Sequence, residues 1–293
     1  MSTTTEAPPE RGALAPASPD RRPSHGRVGW AVRDTRSMTG RNLRKLMRAP
    51  DQVVFTLVSP IMFTLLFRYV FGGAIPIPGV AYVDYLIPGI AVQTAIFAAG
   101  NTGFALAEDH GKGFIDRLRS LPMARSAVLT GRVAADILAN ATGLVIIVVV
   151  GLAVGFRPHN VVGLVLALLL LLTFAVACSF VFALVGLYAS NTQTVNAATF
   201  PVVFPLTFAS SAFVPTATLP SWLRAFADHQ PVSLLINAMR SLILGDQVTP
   251  ALRARLFAGQ GTATLVVESL LWAAGIALVF GTLAVRRYNS SST

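Results

Sequence analysis

The residue types that could do chemistry crowd into one stretch, EDHGKGFIDRLRSLPMARSAVLTGR, residues 108–132. Gly111–Lys112 raises phosphate binding first. A phosphate loop needs GxxxxGK[ST] between a strand and a helix. Leu106 stands where the first glycine should be, and Gly113 follows the lysine in place of Ser or Thr. The stretch therefore carries no nucleotide site. Metal chemistry is not indicated either. His25, His110, His159 and His229 are scattered, and no His/Cys spacing reads as a metal site. The sequence offers no catalytic residue: no histidine falls within an apolar span, so neither a Ser/His/Asp set nor HExxH can form there.

The elements that must position this stretch are almost wholly apolar. Of the 293 residues, 54% are hydrophobic and 12% charged. Soluble domains carry about 25% charged residues. Half that value, with long apolar runs, indicates an all-α membrane protein. The net charge of +10 is then the basic bias of cytoplasmic loops, not a nucleic-acid footprint. Cys178, the lone cysteine, sits in an apolar run and packs as a small hydrophobe.

Residues 1–27, rich in Ser, Thr, Pro, Ala and Arg, read as a disordered cytoplasmic tail. Residues 28–49 read as an amphipathic interfacial helix. Trp30 marks its apolar side, and Arg41, Arg44 and Lys45 suit anionic headgroups of membrane lipids. Residues 50–288 then hold six expected spans: about 53–72, 85–107, 134–156, 161–189, 195–214 and 262–285. Pro201 and Pro205 interrupt the fifth. Seventeen of the 23 Lys and Arg fall on one side if both termini lie inside. That bias places the termini and the opening stretch in the cytoplasm. The connection from Pro215 to Gly261 lies outside, and Leu219–Ala227 and Val232–Leu244 read as short half-buried helices. Trp222, Leu223 and Phe226 fit the outer interface.

The opening stretch thus becomes the cytoplasmic loop between spans two and three. Phe114, Leu118 and Leu121 share one face of a short helix over about 113–121, while Asp116, Arg117 and Arg119 fall elsewhere. Gly111 and Gly113 permit a sharp exit from span two, and Pro122 stops the helix. Such a helix suits docking into a groove on a soluble partner.

Two motifs give a family resemblance over roughly residues 28–288. Glu108 with GFIDRLRSLPMAR (113–125) resembles the coupling-helix region of type-2 ATP-binding-cassette (ABC) exporter permeases, in the daunorubicin-resistance-like drug and lipid exporter branch. HQPVSLLINAMRSLILG (229–245) is similar to the Asn-Pro segment before that family's last span, with Gln230 in place of the usual Asn. The resemblance implies two permeases, alike or different, and two copies of a separate ABC ATPase subunit. ATP and magnesium bind the partner, not this chain. ATP-driven closure then pushes on the coupling helices. The implied function is export of a hydrophobic or amphipathic drug, lipid or glycolipid across the cytoplasmic membrane. The alternatives are an ion-coupled secondary transporter or an export channel for lipid or polysaccharide precursors.

Charge and polarity within the spans mark further candidates. Arg68 and Glu268 share a depth near the outer surface and could pair, or Arg68 could snorkel alone. Gln93, Asn101, Thr207, Ser210 and Ser211 could bond between spans or line a substrate path.

Overall fold

The computed structural model describes residues 50–75, 77, 79–111, 125–189 and 191–290, and every regular element among them is helical. The expected tail (1–27), the interfacial helix with Trp30, Arg41, Arg44 and Lys45, and most of the coupling region lie outside the described residues. Those coupling residues are Gly113, Phe114, Asp116, Arg117, Leu118, Arg119, Leu121 and Pro122.

Helix α1, Pro50–Leu66, runs into a π-helical turn at Phe67–Phe71. Next come α2 (Tyr82–Gly111), α3 (Arg125–Ala153), α4 (Val161–Tyr188) and α5 (Thr192–Phe208). Three short helices follow: α6 (Ser221–His229), α7 (Pro231–Leu244) and α8 (Pro250–Leu256). Helix α9, Thr262–Ser290, is the last. Local chemistry sets many of these limits. Asn160 caps α4 by accepting from Gly163 N at 2.9 Å, and Asn191 caps α5 through Thr194 N at 2.8 Å. Pro231 and Pro250 occupy first-turn positions where no amide donor is required. Gly245 ends α7 with φ +53°.

The long helices alternate in direction. At one end, the start of α2 meets the turn between α3 and α4: Asp84 Oδ1 accepts from Arg157 N at 2.8 Å. The end of α1 joins them, with Arg68 Nε donating to Val154 O at 3.4 Å. At the opposite end Ala107 of α2, Ala189 after α4 and Val195 of α5 pack together. Helix α4 is central, lying against α2, α7 and α9. It crosses α2 where Gly186 meets Gly103; a Cβ on Gly186 would run into the Gly103 carbonyl. Small residues permit such close backbone approach where lipid removes the hydrophobic drive for helix association.

Three helical stretches among the described residues are long and apolar enough to cross a membrane: Tyr82–Asp109, Val161–Tyr188 and Thr262–Arg287. Shorter apolar stretches are Val58–Phe71 and Asn140–Ala153. The expected limits of the fourth span agree with α4 to one residue. The third begins nine residues earlier than expected, at Arg125, and the fifth ends early: the expected span 195–214 becomes a 17-residue helix, Thr192–Phe208. Its physical cause is local. The Ser210 hydroxyl donates to Thr207 O at 2.6 Å and accepts from Ala212 N at 3.1 Å, an alternative to the helical ladder. The expected half-buried helix over 232–244 is also more enclosed than its sequence suggests: 12 of the 14 residues of α7 are buried.

Candidate functional site

Breaking α5 creates a problem that its neighbours solve. Non-helical backbone packed in the apolar interior must find its hydrogen bonds in protein. Residues 209–213 find most of them in side chains of α2, α7 and Gln230, the residue that precedes α7. Gln230 Nε2 donates to Ala209 O at 3.0 Å, and Ser211 N donates to Ser233 Oγ at 3.1 Å. The Tyr85 hydroxyl donates to Ser211 O at 2.7 Å, and the Tyr82 hydroxyl to Phe213 O at 3.1 Å. Ser211 Oγ donates to Asn237 Oδ1 at 3.0 Å.

Arg240 is the centre of this knot and is fully buried. Its Nη2 donates to Ser211 O at 2.7 Å and Ala212 O at 3.1 Å, and its Nε donates to Tyr85 O at 2.8 Å. Nη1 reaches Asn237 Oδ1 at 3.4 Å. The guanidinium carbon lies 3.4 Å from the centroid of the Tyr85 ring, a cation–π contact. All these partners are neutral. The fork of donors explains the choice of arginine, since one lysine ammonium could not reach carbonyls on two separate elements in this geometry. Gly89 of α2 completes the fit, because a Cβ there would run into the Ala212 carbonyl.

A run of aromatic rings starts at the knot. Phe213 stacks on Phe67 at 4.3 Å between centroids and on Phe208 at 5.2 Å. From Phe208 the stacking continues to Phe204 at 4.3 Å and Phe200 at 5.7 Å, and Phe97 of α2 lies 6.3 Å further. Phe63 and Phe71 flank Phe67 at 6.2 and 5.0 Å. Fourfold spacing on each helix aligns these rings. The ring faces differ in exposure: Phe200, Phe204 and Phe208 are exposed, while Phe213 is buried.

The knot gathers Thr207, Ser210 and Ser211 from the expected polar set. It does not include Gln93, which is buried further along α2, or Asn101, which is exposed. Glu108 lies half-buried in the last turn of α2, and Gly111 is that helix's final residue. Arg68 and Glu268 have separate partners. Arg68 bonds the Val154 carbonyl, whereas Glu268 accepts from Gln260 Nε2 at 3.2 and 3.3 Å. Each charge is served locally, so a pair across α1 and α9 is not formed in this structure. Sequence reasoning missed Tyr82, Tyr85 and Arg240 as a group. Arg240 falls inside the 229–245 motif, but by charge it reads as one more outer-loop cation. The fourfold Phe spacing in 63–71 and 200–208 was a readable signal for the ring run.

Comparison with known proteins bears on most of the chain. A family model described as ABC-2 type transporter matches residues 33–244. The daunorubicin resistance ABC transporter permease protein DrrB1 of Streptomyces coeruleorubidus is 33% identical over 263 residues, 89% of this chain and 88% of that protein. The probable doxorubicin resistance ABC transporter permease protein DrrC of Mycobacterium tuberculosis is 26% identical, covering 89% of this chain and 90% of its own. A putative transport permease, ycf38, of the alga Pyropia yezoensis is 24% identical over 72% of this chain and 74% of its own.

Proposed function

Since the chain belongs to the ABC-2 type transporter family, we propose that it is the multi-pass permease subunit of an ABC exporter in the cytoplasmic membrane, moving amphipathic molecules with a flat apolar part. The observation that carries the substrate class is the aromatic run. Stacked rings exposed along α5 offer a flat apolar ligand successive, equivalent positions.

The finer topology follows the same reading. Helices α1 to α5 and α9 supply six spans with both termini cytoplasmic, and the α7 end of the bundle faces outward. Two copies of an ATPase subunit bind ATP and magnesium. They engage the short coupling helix at about 113–121, where Asp116, Arg117 and Arg119 lie off the face shared by Phe114, Leu118 and Leu121. Closure of the ATPase pair tilts α2 and α3 from their cytoplasmic ends. A second permease, identical or homologous, completes the route.

The test is uptake of fluorescent daunorubicin into inside-out vesicles containing this chain and its ATPase subunit. Uptake is expected to require both subunits and hydrolysable ATP. Uptake driven by a proton gradient, without ATP, would overturn this reading in favour of ion-coupled transport.

A further inference from the structure

The aromatic run has a dead end. Its rings are exposed along α5, yet the last, Phe213, is buried at 4% exposure against Phe67 and Phe208. A molecule moving along the run toward the α7 end stops at that ring. What holds the ring is hydrogen bonding of its own backbone and of the two residues before it. Those bonds come from α2 and α7 and do not come from α5 itself.

We propose that Arg240 is the positioning residue of the exit: through the carbonyls of Ser211 and Ala212 it holds Phe213 as a plug at the end of the aromatic run, and releases it once per transport cycle. The inference rests on the exporter reading above. Its physical basis is the character of the buried charge. A fully buried guanidinium with only neutral partners is a poor way to gain stability, since apolar side chains of similar volume commonly do as well or better. Its value lies in bonding two covalently independent segments at once: Tyr85 O on α2, and Ser211 O and Ala212 O beyond α5. Parting those segments breaks the guanidinium's bonds to neutral carbonyls and the neutral Ser211 bonds to Ser233 and Asn237, each replaceable by water entering an opened exit. A buried carboxylate partner would have held the guanidinium more firmly. The break in α5 supplies the freedom to move, because the last helical bond is Ala209 N to Pro205 O at 2.8 Å and the regular helix ends before residues 210–213.

The experiment is backbone amide exchange, read by mass spectrometry, on the transporter assembled with its ATPase subunit in membranes. Peptides covering 209–214 report the plug, and peptides covering 161–188 serve as the control. In the wild type, 209–214 should exchange slowly without nucleotide and about tenfold faster during ATP turnover, as a locally opening segment does. Arg240→Lys keeps the charge and loses the fork. It should exchange about tenfold faster without nucleotide, with 161–188 unchanged. Should Arg240→Lys fail to reach the membrane, Tyr85→Phe decides. It removes one hydroxyl bond to Ser211 and keeps the ring beneath the guanidinium, and about threefold faster exchange of 209–214 is expected. The proposal is overturned if 209–214 stays slow during wild-type turnover, if neither variant accelerates it, or if 161–188 accelerates equally. ATP-driven daunorubicin uptake with a motionless 209–214 would refute the plug and leave the exporter reading intact. Absent uptake with an intact plug would refute the exporter reading instead.

Discussion

Helices α4 and α5 follow one another in the chain, and they solve the membrane problem in opposite ways. Helix α4 is 28 residues of nearly unbroken apolar sequence, without proline and capped by its own Asn160. Beyond close contact at Gly186 and Gly163, the backbone bond it takes from another helix is at its cap, Asn160 N to Ile243 O at 3.1 Å. Helix α5 is 17 residues with two prolines, and its chain leaves helical geometry at Ala209. Beyond local bonds at Ala209 and Ser210, the next five residues take their hydrogen bonds from Gln230, Ser233, Arg240, Tyr82 and Tyr85. A self-sufficient helix can serve as scaffold. A helix whose end leans on distant side chains can be held or released, and it is there that the aromatic run ends.

The sharpest way to break this contrast is to remove the central side chain. Leucine is shorter than arginine, so Arg240→Leu leaves both a gap and three carbonyls without their donor, unlike a volume-matched apolar core, and should cost about 3 kcal/mol in detergent unfolding. Stability within about 0.5 kcal/mol of wild type would mean that the break in α5 needs no external support. A Gly186→Leu change attacks α4 by packing alone and should cost about 2 kcal/mol, because the side chain must displace the Gly103 backbone. Its expected mark is a weaker α2–α4 crossing with 209–214 still protected from exchange. Tyr82→Phe deletes one hydroxyl bond, to Phe213 O, and about 1 kcal/mol should be lost on thermal unfolding. The smallest effect concerns Arg68 and Glu268. They have separate partners, so Arg68→Leu and Glu268→Leu should be additive within about 0.5 kcal/mol in a double-mutant cycle. A larger coupling would restore the pairing that their shared depth suggests from sequence.

Legibility in the sequence follows the same division. Helix α4 can be read within one residue because its signal is local: length, apolarity and a capping asparagine. The end of α5 hides behind composition, since 209–214 is as apolar as a span and its break depends on Ser210. The partners that make the break tolerable lie 28 residues away for the Arg240 bond to Ala212 and 126 for the Tyr85 bond to Ser211. No periodicity in a single sequence exposes such a pairing. Counting Arg240 with the outer cations follows correctly from the positive-inside rule, which cannot tell a loop arginine from one buried in a re-entrant packing. Family membership was legible because its motifs are contiguous, in 113–125 and 229–245.

The contrast between scaffold and route is tested most directly by photolabelling the assembled transporter in membranes with azido-ethidium, a flat aromatic cation. Labelled peptides should fall within 63–71 and 200–208, along the stacked rings, and unlabelled daunorubicin should suppress them. Labelling concentrated in 161–188, on α4, and competed by daunorubicin in the same way would contradict the account.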